Sequence, residues 1–232
     1  MTLQLAIFDL DGTLLPGDSD TLWCRFLADL GEIATEQAER CATAARRYAA
    51  GTVVPEDYCL AQAALLAGRS AASLQPLRER FLAEVIRPRV PQAARDLLQR
   101  HRQDGDTLLL TTATSRVVSE LTAADLGVDA YLCTELVWAD GVCSGRIKGS
   151  PNMRSGKVER LRAWLAQRGE PDSVLRRASF YSDSINDLAL LSMVGRPTVV
   201  DPDMRLAATA MRKGWTVLRL HHRSRRADAL PA

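Results

Sequence analysis

The sequence predicts an α/β protein with a doubly wound, mostly parallel sheet and a helical block inserted after the first strand. Three observations predict it. "LQLAIF", residues 3–8, is a continuous apolar run stopped by a turn, the pattern of a strand buried on both faces. Over residues 19–86 the apolar side chains recur at helical spacing. Beyond "RPRVP", residues 87–91, helix and strand patterns alternate, as they do when parallel strands are covered by helices on both faces.

Within the helical block the periodic positions are Leu22, Phe26 and Leu30, then Cys41, Ala45 and Tyr48, then Leu74, Leu77, Phe81 and Val85. Breaks near Gly31, residues 51–55 and residues 68–70 divide it into about four helices. The alternating part begins with a helix over 92–103 and the strand "TLLLTT". A helix over 115–126 and the strand "YLCTEL" follow. "WADGVCSGRI" reads as a hairpin turning at Asp140-Gly141. A helix over 156–167, the strand "ASFYS", the helix "NDLALLSMV", the strand "PTVVD", a helix over 204–212 and the strand "TVLRL" complete the chain. The organisation expected is a core of residues 1–15 and 88–220, a helical cap of residues 16–87 and a basic tail of residues 221–232.

A chain of 232 residues, 47% of them hydrophobic, is large enough for one sizeable core with a small insertion. The formal net charge of +2 comes from nearly balanced acids and bases, so no global field points to nucleic acid or membrane. The local excess is the end, "RLHHRSRRADALPA", with His221 and His222, which reads as a solvated terminus. The five cysteines are scattered without C-x-x-C spacing, which shows neither a zinc site nor a redox motif. The apolar start is cut short by Asp9 and lacks a basic leader, so neither a signal peptide nor a membrane span is expected, and a cytoplasmic protein is.

Ligands of open parallel sheets bind beyond the carboxyl ends of the strands. There the first strand presents Asp9 and Asp11, whose i, i+2 spacing puts both carboxylates on one side. The second strand ends at Thr111 and Thr112, and "ASFYSDSIND" delivers Asp183, Ser184, Asn186 and Asp187. Lys157 starts a helix in "SGKVERL". Each of these has a structural alternative. Asp11-Gly12 is an ordinary turn pair, Ser184 to Asp187 is an S-x-x-D capping box, and Lys157 is a solvated helix residue. Their convergence on one rim from four distant segments is the specific signal. "GSPNMRSGKV" is not a nucleotide-binding loop, because six residues separate Gly149 from Gly156 and Val158 stands where Ser or Thr is required. No G-x-G-x-x-G follows a strand.

"DLDGT" after a first strand, "LLLTTATS", a later "GK" and "YSDSINDLALL" together resemble the haloacid dehalogenase superfamily of phosphatases. The helical insertion after the first motif resembles its phosphoserine-phosphatase-like branch, subfamily IB. The resemblance covers nearly the whole chain except the tail and implies a Rossmann-like core. It implies that Asp9 is the nucleophile, taking the phosphoryl group as an aspartyl-phosphate, and that Asp11 is the general acid and base. Magnesium would be held by Asp9, Asp183 and the Asp11 carbonyl, with Asp187 and Asn186 supporting that shell. Thr112 and the amide of Ala113 would bind phosphoryl oxygens, with Thr111 as the neighbouring choice for the hydroxyl. Lys157 would neutralise charge shared by nucleophile and phosphate.

Specificity is expected in the cap. Asp18 stands where phosphoserine phosphatases read the substrate ammonium, and Gln62 where a cap arginine reads its carboxylate. The expectation is a small phosphate monoester, an amine-bearing one such as histidinol phosphate ahead of phosphoserine, because a buried carboxylate without a charged partner is disfavoured. Asp18 also reads as a helix cap, and Arg25 or Arg69 could supply the missing charge. A phospho-aspartate switch without turnover and a phosphotransferase or mutase are the competing classes. Asp11, which would drive hydrolysis of the intermediate, speaks against the switch. Oligomeric state is not legible.

Overall fold

The computed structural model describes residues 3–221 apart from Gly51 and Val53. Residues 222–232 of the expected basic tail, His222 among them, lie outside the described residues, as do Gly51 and Val53 in one expected helix break. His221, expected to begin a solvated tail, is instead seated on the core. Its Nε2 donates to the Thr13 carbonyl at 2.9 Å and its amide to Asp201 Oδ2 at 2.9 Å.

Strand β1 (Leu5–Phe8) has all four side chains fully buried, and its period of two deals them to opposite sides of the sheet. Ala6 and Phe8 join one apolar cluster, Leu5 and Ile7 the other. The helical block follows as α1 (Ser19–Asp29), α2 (Thr35–Ala49), α3 (Pro55–Ala64) and α4 (Ala71–Phe81), the last continuing as a wider turn over Leu82–Ile86. Asp18 caps α1, its Oδ1 accepting from the Thr21 amide at 2.6 Å, and Ser70 caps α4.

The alternating part contains α5 (Gln92–Gln103), β2 (Thr107–Ser115), α6 (Arg116–Leu126), β3 (Ala130–Thr134), β4 (Leu136–Ala139), β5 (Val142–Ile147), α7 (Ser155–Gln167), β6 (Ser179–Ser182), α8 (Leu188–Leu191), β7 (Arg196–Val200), α9 (Met204–Lys213) and β8 (Thr216–Leu218). Six strands form one parallel sheet in the order β3-β2-β1-β6-β7-β8. The chain therefore leaves β1 toward one edge and later returns to its other side at β6. That reversal opens a crevice between the ends of β1 and β6. Among the described residues no helix is long and apolar enough to cross a membrane.

Two elements differ from expectation. β2 runs on through Ser115, past an irregular register with β3 between Thr111 and Ser115. The expected helix "NDLALLSMV" is a tight turn, Ile185–Asp187, followed by the single turn α8. It stops because the chain must return to β7 through Gly195, where an added Cβ would lie 1.8 Å from the Arg176 carbonyl oxygen. The β4–β5 hairpin turns at Asp140 and Gly141, both at positive φ, as the two-residue turn requires. It stands apart from the main sheet and bonds to the segment between α3 and α4, Gly68 donating to the Cys143 carbonyl and Cys143 to that of Arg69.

Asp203 joins α9 to the crevice. Its Oδ1 accepts from the amides of Arg205 and Leu206, both at 2.8 Å, while Oδ2 accepts from the Ile185 amide at 2.7 Å. Asp203→Ala is expected to cost about 1–2 kcal/mol, lowering the melting temperature by roughly 2–8 °C. An unchanged melting temperature would mean that water satisfies those three amides equally well.

Candidate active site

Beyond the ends of β1, β2 and β6 lies a cavity of about 570 Å³ whose wall includes Asp9, Asp11, Asp18, Ala113, Lys157, Asp183, Asn186 and Asp187. Eight of the nine expected site residues thus share one cavity, and Thr112 lies just behind it. The helical block adds Asp20, Arg46, Tyr48 and Tyr58 to the wall.

At one end, the Lys157 ammonium is buried between two carboxylates, 2.8 Å from Asp9 Oδ1 and 2.7 Å from Asp187 Oδ2. Ser182 Oγ donates to the same Asp187 oxygen at 2.8 Å. Burial acts to lower the Lys157 pKa, but Asp187 and Asp9 outweigh it and hold the ammonium above its ordinary value. Asp187 therefore does not complete a capping box. Ser184 Oγ accepts from the Asn186 amide at 3.2 Å, but the Ser184 amide turns to Ser182 Oγ.

Asp183 meets β1's end through Thr13. Thr13 Oγ1 donates to Asp183 Oδ1 at 3.1 Å and accepts from the Asp183 amide at 3.1 Å. Gly12 allows this approach, since a Cβ there would sit 2.1 Å from Asp183 Oδ2. Asp9, Asp183 and Asp187 so bring three carboxylates near one ammonium. Desolvation raises Asp9 well above the usual carboxylate range, with Asp187 and Asp183 adding to it against Lys157. Desolvation and then Asp187 push Asp183 to about 7. Such a site is short of positive charge. Among the described residues, however, no group of three or more His, Cys, Asp or Glu side chains surrounds a single metal position. Asp9 and Asp183, both on the cavity wall, offer the oxygen ligands that a magnesium ion takes.

Asp11 is directed elsewhere. Its Oδ1 accepts from the Ser19 amide at 2.7 Å, and its Oδ2 from Thr114 Oγ1 at 2.8 Å and Thr112 Oγ1 at 3.3 Å. Desolvation, then the Asp18 charge, raises it to about 6. The two threonines of "TLLLTT" are thereby distinguished. Thr111 Oγ1 accepts from the buried Asn152 amide at 2.9 Å, whereas the Thr112 hydroxyl faces Asp11 from a fully buried position. Asn152 also donates to the carbonyls of Thr112 and Leu132, which anchors the irregular end of β2.

At the far end of the cavity Asp18 Oδ2 and Asp20 Oδ2 lie 3.4 and 3.3 Å from the Tyr58 hydroxyl. Asp18 is thus both a helix cap and part of the cavity wall. Desolvation and then Asp18 raise buried Asp20 well above the usual range. Gln62 is placed away from the wall, its Oε1 accepting from the Cys24 thiol at 3.4 Å. Arg69 pairs with Glu32 at 2.8 Å and Arg25 is exposed off the cavity. The cap guanidinium on the wall is Arg46, exposed and donating to Thr43 at 2.9 Å.

Thr13, Asp20, Arg46, Tyr58, Thr114 and Asn152 were not singled out from the sequence. Asp20 carried a usable signal, since it stands two residues after Asp18 in "PGDSD". Arg46 carried another, on one face of α2 with Ala42 and Ala45.

The sequence profile of the haloacid dehalogenase-like hydrolases matches residues 6–192. A protein of Neisseria meningitidis serogroup C (strain 8013) named histidinol-phosphatase is 36% identical over 217 residues, covering 93% of this chain and 98% of that one. The phosphoserine phosphatase SerB1 of Mycobacterium tuberculosis (strain ATCC 25618 / H37Rv) is 31% identical over 216 residues, covering 91% of this chain and 69% of that one. The crystal structure of a protein with unknown function from Bordetella pertussis Tohama I superposes with a TM-score of 0.89 at 38% identity, covering 95% of this chain and 100% of that one.

Lys157→Ala leaves Asp9 and Asp187 buried without their cation and is expected to cost about 3–5 kcal/mol, read by denaturant unfolding at pH 7. A cost below about 1 kcal/mol would return Lys157 to a solvated role. Asp9, Asp11 and Asp183 are raised in the folded chain, so between pH ~4 and ~7 the folded state binds more protons than the unfolded one. Stability in the presence of a chelator should therefore fall as pH rises through that window. A melting temperature that climbs from pH 4.5 to 7.5 would contradict this.

Proposed function

This chain belongs to the haloacid dehalogenase-like hydrolase family and is a phosphoric monoester hydrolase, and from that premise we propose that it hydrolyses a small, amine-bearing phosphate monoester through an aspartyl-phosphate on Asp9. Histidinol phosphate is the favoured substrate. The observation that carries this reading is the division of one cavity into two acidic ends. Asp9, Lys157 and Asp183 stand at one, and Asp18 and Asp20 with Tyr58 at the other.

In this reading Asp9 Oδ2, left free of Lys157, attacks phosphorus while Asp11 gives its proton to the departing alkoxide. Asp11, raised to about 6, retains a protonated fraction near neutral pH for that step. Asp11 then takes a proton from water as that water attacks the aspartyl-phosphate, releasing phosphate and restoring Asp9. Ser19, Thr112 and Thr114 keep the Asp11 carboxyl oriented between the two steps. Lys157 remains beside the reacting oxygen pair, where fixed positive charge stabilises the transferring group. Ala113 is part of the wall, and its amide would bind phosphoryl oxygens.

Magnesium would be held by Asp9, Asp183 and the Asp11 carbonyl, with Asp187 and Asn186 behind them, and would offset the repulsion between attacking carboxylate and phosphate. The shortage of positive charge at this end supports that assignment.

At the other end, Asp18 and Asp20, which among the described residues form no ion pair, favour a substrate ammonium or imidazolium. The name of the neisserial relative agrees with histidinol phosphate. Phosphoserine is the second reading, favoured by Arg46 on the cavity wall and by the name of the mycobacterial relative.

Phosphate release from histidinol phosphate and phosphoserine, measured in parallel with magnesium, tests both. Histidinol phosphate should be preferred in kcat/KM, and a clear preference for phosphoserine would assign the carboxylate to Arg46. Asp9→Asn should abolish release from either ester while the melting curve stays cooperative, and substantial residual turnover would remove Asp9 as nucleophile. Asp20→Asn should raise KM about tenfold with little change in kcat. An unchanged KM would sink its role as amine reader.

A further inference from the structure

Arg154 occupies a backbone conformation that its side chain disfavours. It caps α7 at φ 49°, ψ −121°. Among the described residues the other non-glycines at positive φ are Asp140 and Asp201, whose short side chains tolerate that region better than arginine does. Strain of this kind persists where surrounding structure enforces it, and it concentrates at functional sites. Here the enforcement is a tight turn, in which the Gly156 amide bonds to Met153 and a Cβ at Gly156 would lie 2.3 Å from the Pro151 carbonyl oxygen.

The strained turn sends the Arg154 side chain across the gap between core and helical block. Its Nε donates to Asn186 Oδ1 at 3.3 Å, in the loop that carries Asp183 and Asp187. Its guanidinium lies 5.9 Å from the centre of the Tyr48 ring on α2, within the range of a cation–π contact. Tyr48 is stacked on Tyr58 of α3, with centroids 5.1 Å apart and planes 20° from parallel. Tyr58 in turn points its hydroxyl at Asp18 and Asp20. Arg154, Tyr48 and Tyr58 thus form a series running from α7, one turn from Lys157, to the acidic far end of the cavity.

We propose that Arg154 is a positioning residue that seats the aromatic wall of the helical block, Tyr48 and Tyr58, against the leaving-group end of the cavity, and that the backbone strain is retained because only this turn aims the guanidinium at Tyr48. The kinetic part of this inference rests on the phosphatase reading. Its structural part does not.

Two variants separate strain from side chain. Arg154→Gly removes both, whereas Arg154→Ala removes the guanidinium and keeps a Cβ in the disfavoured region. The glycine variant should melt about 2–6 °C above the alanine variant. In both, amide hydrogen exchange in α2 should be about three- to tenfold faster, the scale of a lost cation–π contact, with β1 and β6 unchanged. KM for histidinol phosphate should rise by a similar factor with kcat within about twofold, while KM for acetyl phosphate, whose leaving group is too short to reach the wall, should stay within about twofold. Unchanged α2 exchange in both variants, or KM rising equally for both compounds, would overturn the seating role. Equal melting temperatures would overturn the strain. If the wild-type chain releases phosphate from neither compound, the phosphatase reading falls, and exchange and melting still decide the role of Arg154.

Discussion

The structure around the cavity depends on one buried ammonium. Lys157 is 3% exposed and is reached by Asp9 from 148 residues away in sequence and by Asp187 from 30. Removing two carboxylates and an ammonium from water is costly unless their charges meet at hydrogen-bond distance. That requirement ties the end of β1, the start of α7 and the turn after β6 into a single geometry. Packing of β1 between β2 and β6 supplies the rigidity, because its side chains are interlocked with apolar clusters on both faces.

Asp9 and Asp11 are two residues apart but lie in different electrostatic surroundings. Asp9 faces the ammonium, and Asp11 faces an amide and two hydroxyls. Desolvation raises both, but against the pull of the Lys157 ammonium at Asp9 and with the Asp18 charge adding to it at Asp11. This asymmetry suits two carboxyl groups to opposite parts in one reaction, one attacking and one moving protons. The helical block contributes to it directly, since Ser19 and Asp18 both belong to the start of α1.

Much of the fold was legible because its signals are periodic. Complete burial of β1, the helical block, the Asp140-Gly141 turn and the alternation after residue 91 all rest on side-chain period and turn chemistry. Elements whose limits are set by a neighbour were less legible. α8 is short because the chain must pass Arg176 at Gly195, and β2 is long because Asn152 holds its irregular end. His221 reads as a tail residue from composition, yet its ring meets the carbonyl of Thr13, 208 residues away.

By itself the sequence determined which chemical groups stand at the carboxyl ends of the strands, because strand ends and turn positions follow from local pattern. Tertiary structure alone decided how those groups divide their partners. It turned Thr111 to Asn152 and Thr112 to Asp11, drew Gln62 away to Cys24, and placed Asp20, Arg46 and Tyr58 on the wall. The physical reason is that regular periods end where strands and helices end. Past that point a side chain's direction is set by the nearest buried donor or charge, which the packing of distant segments supplies.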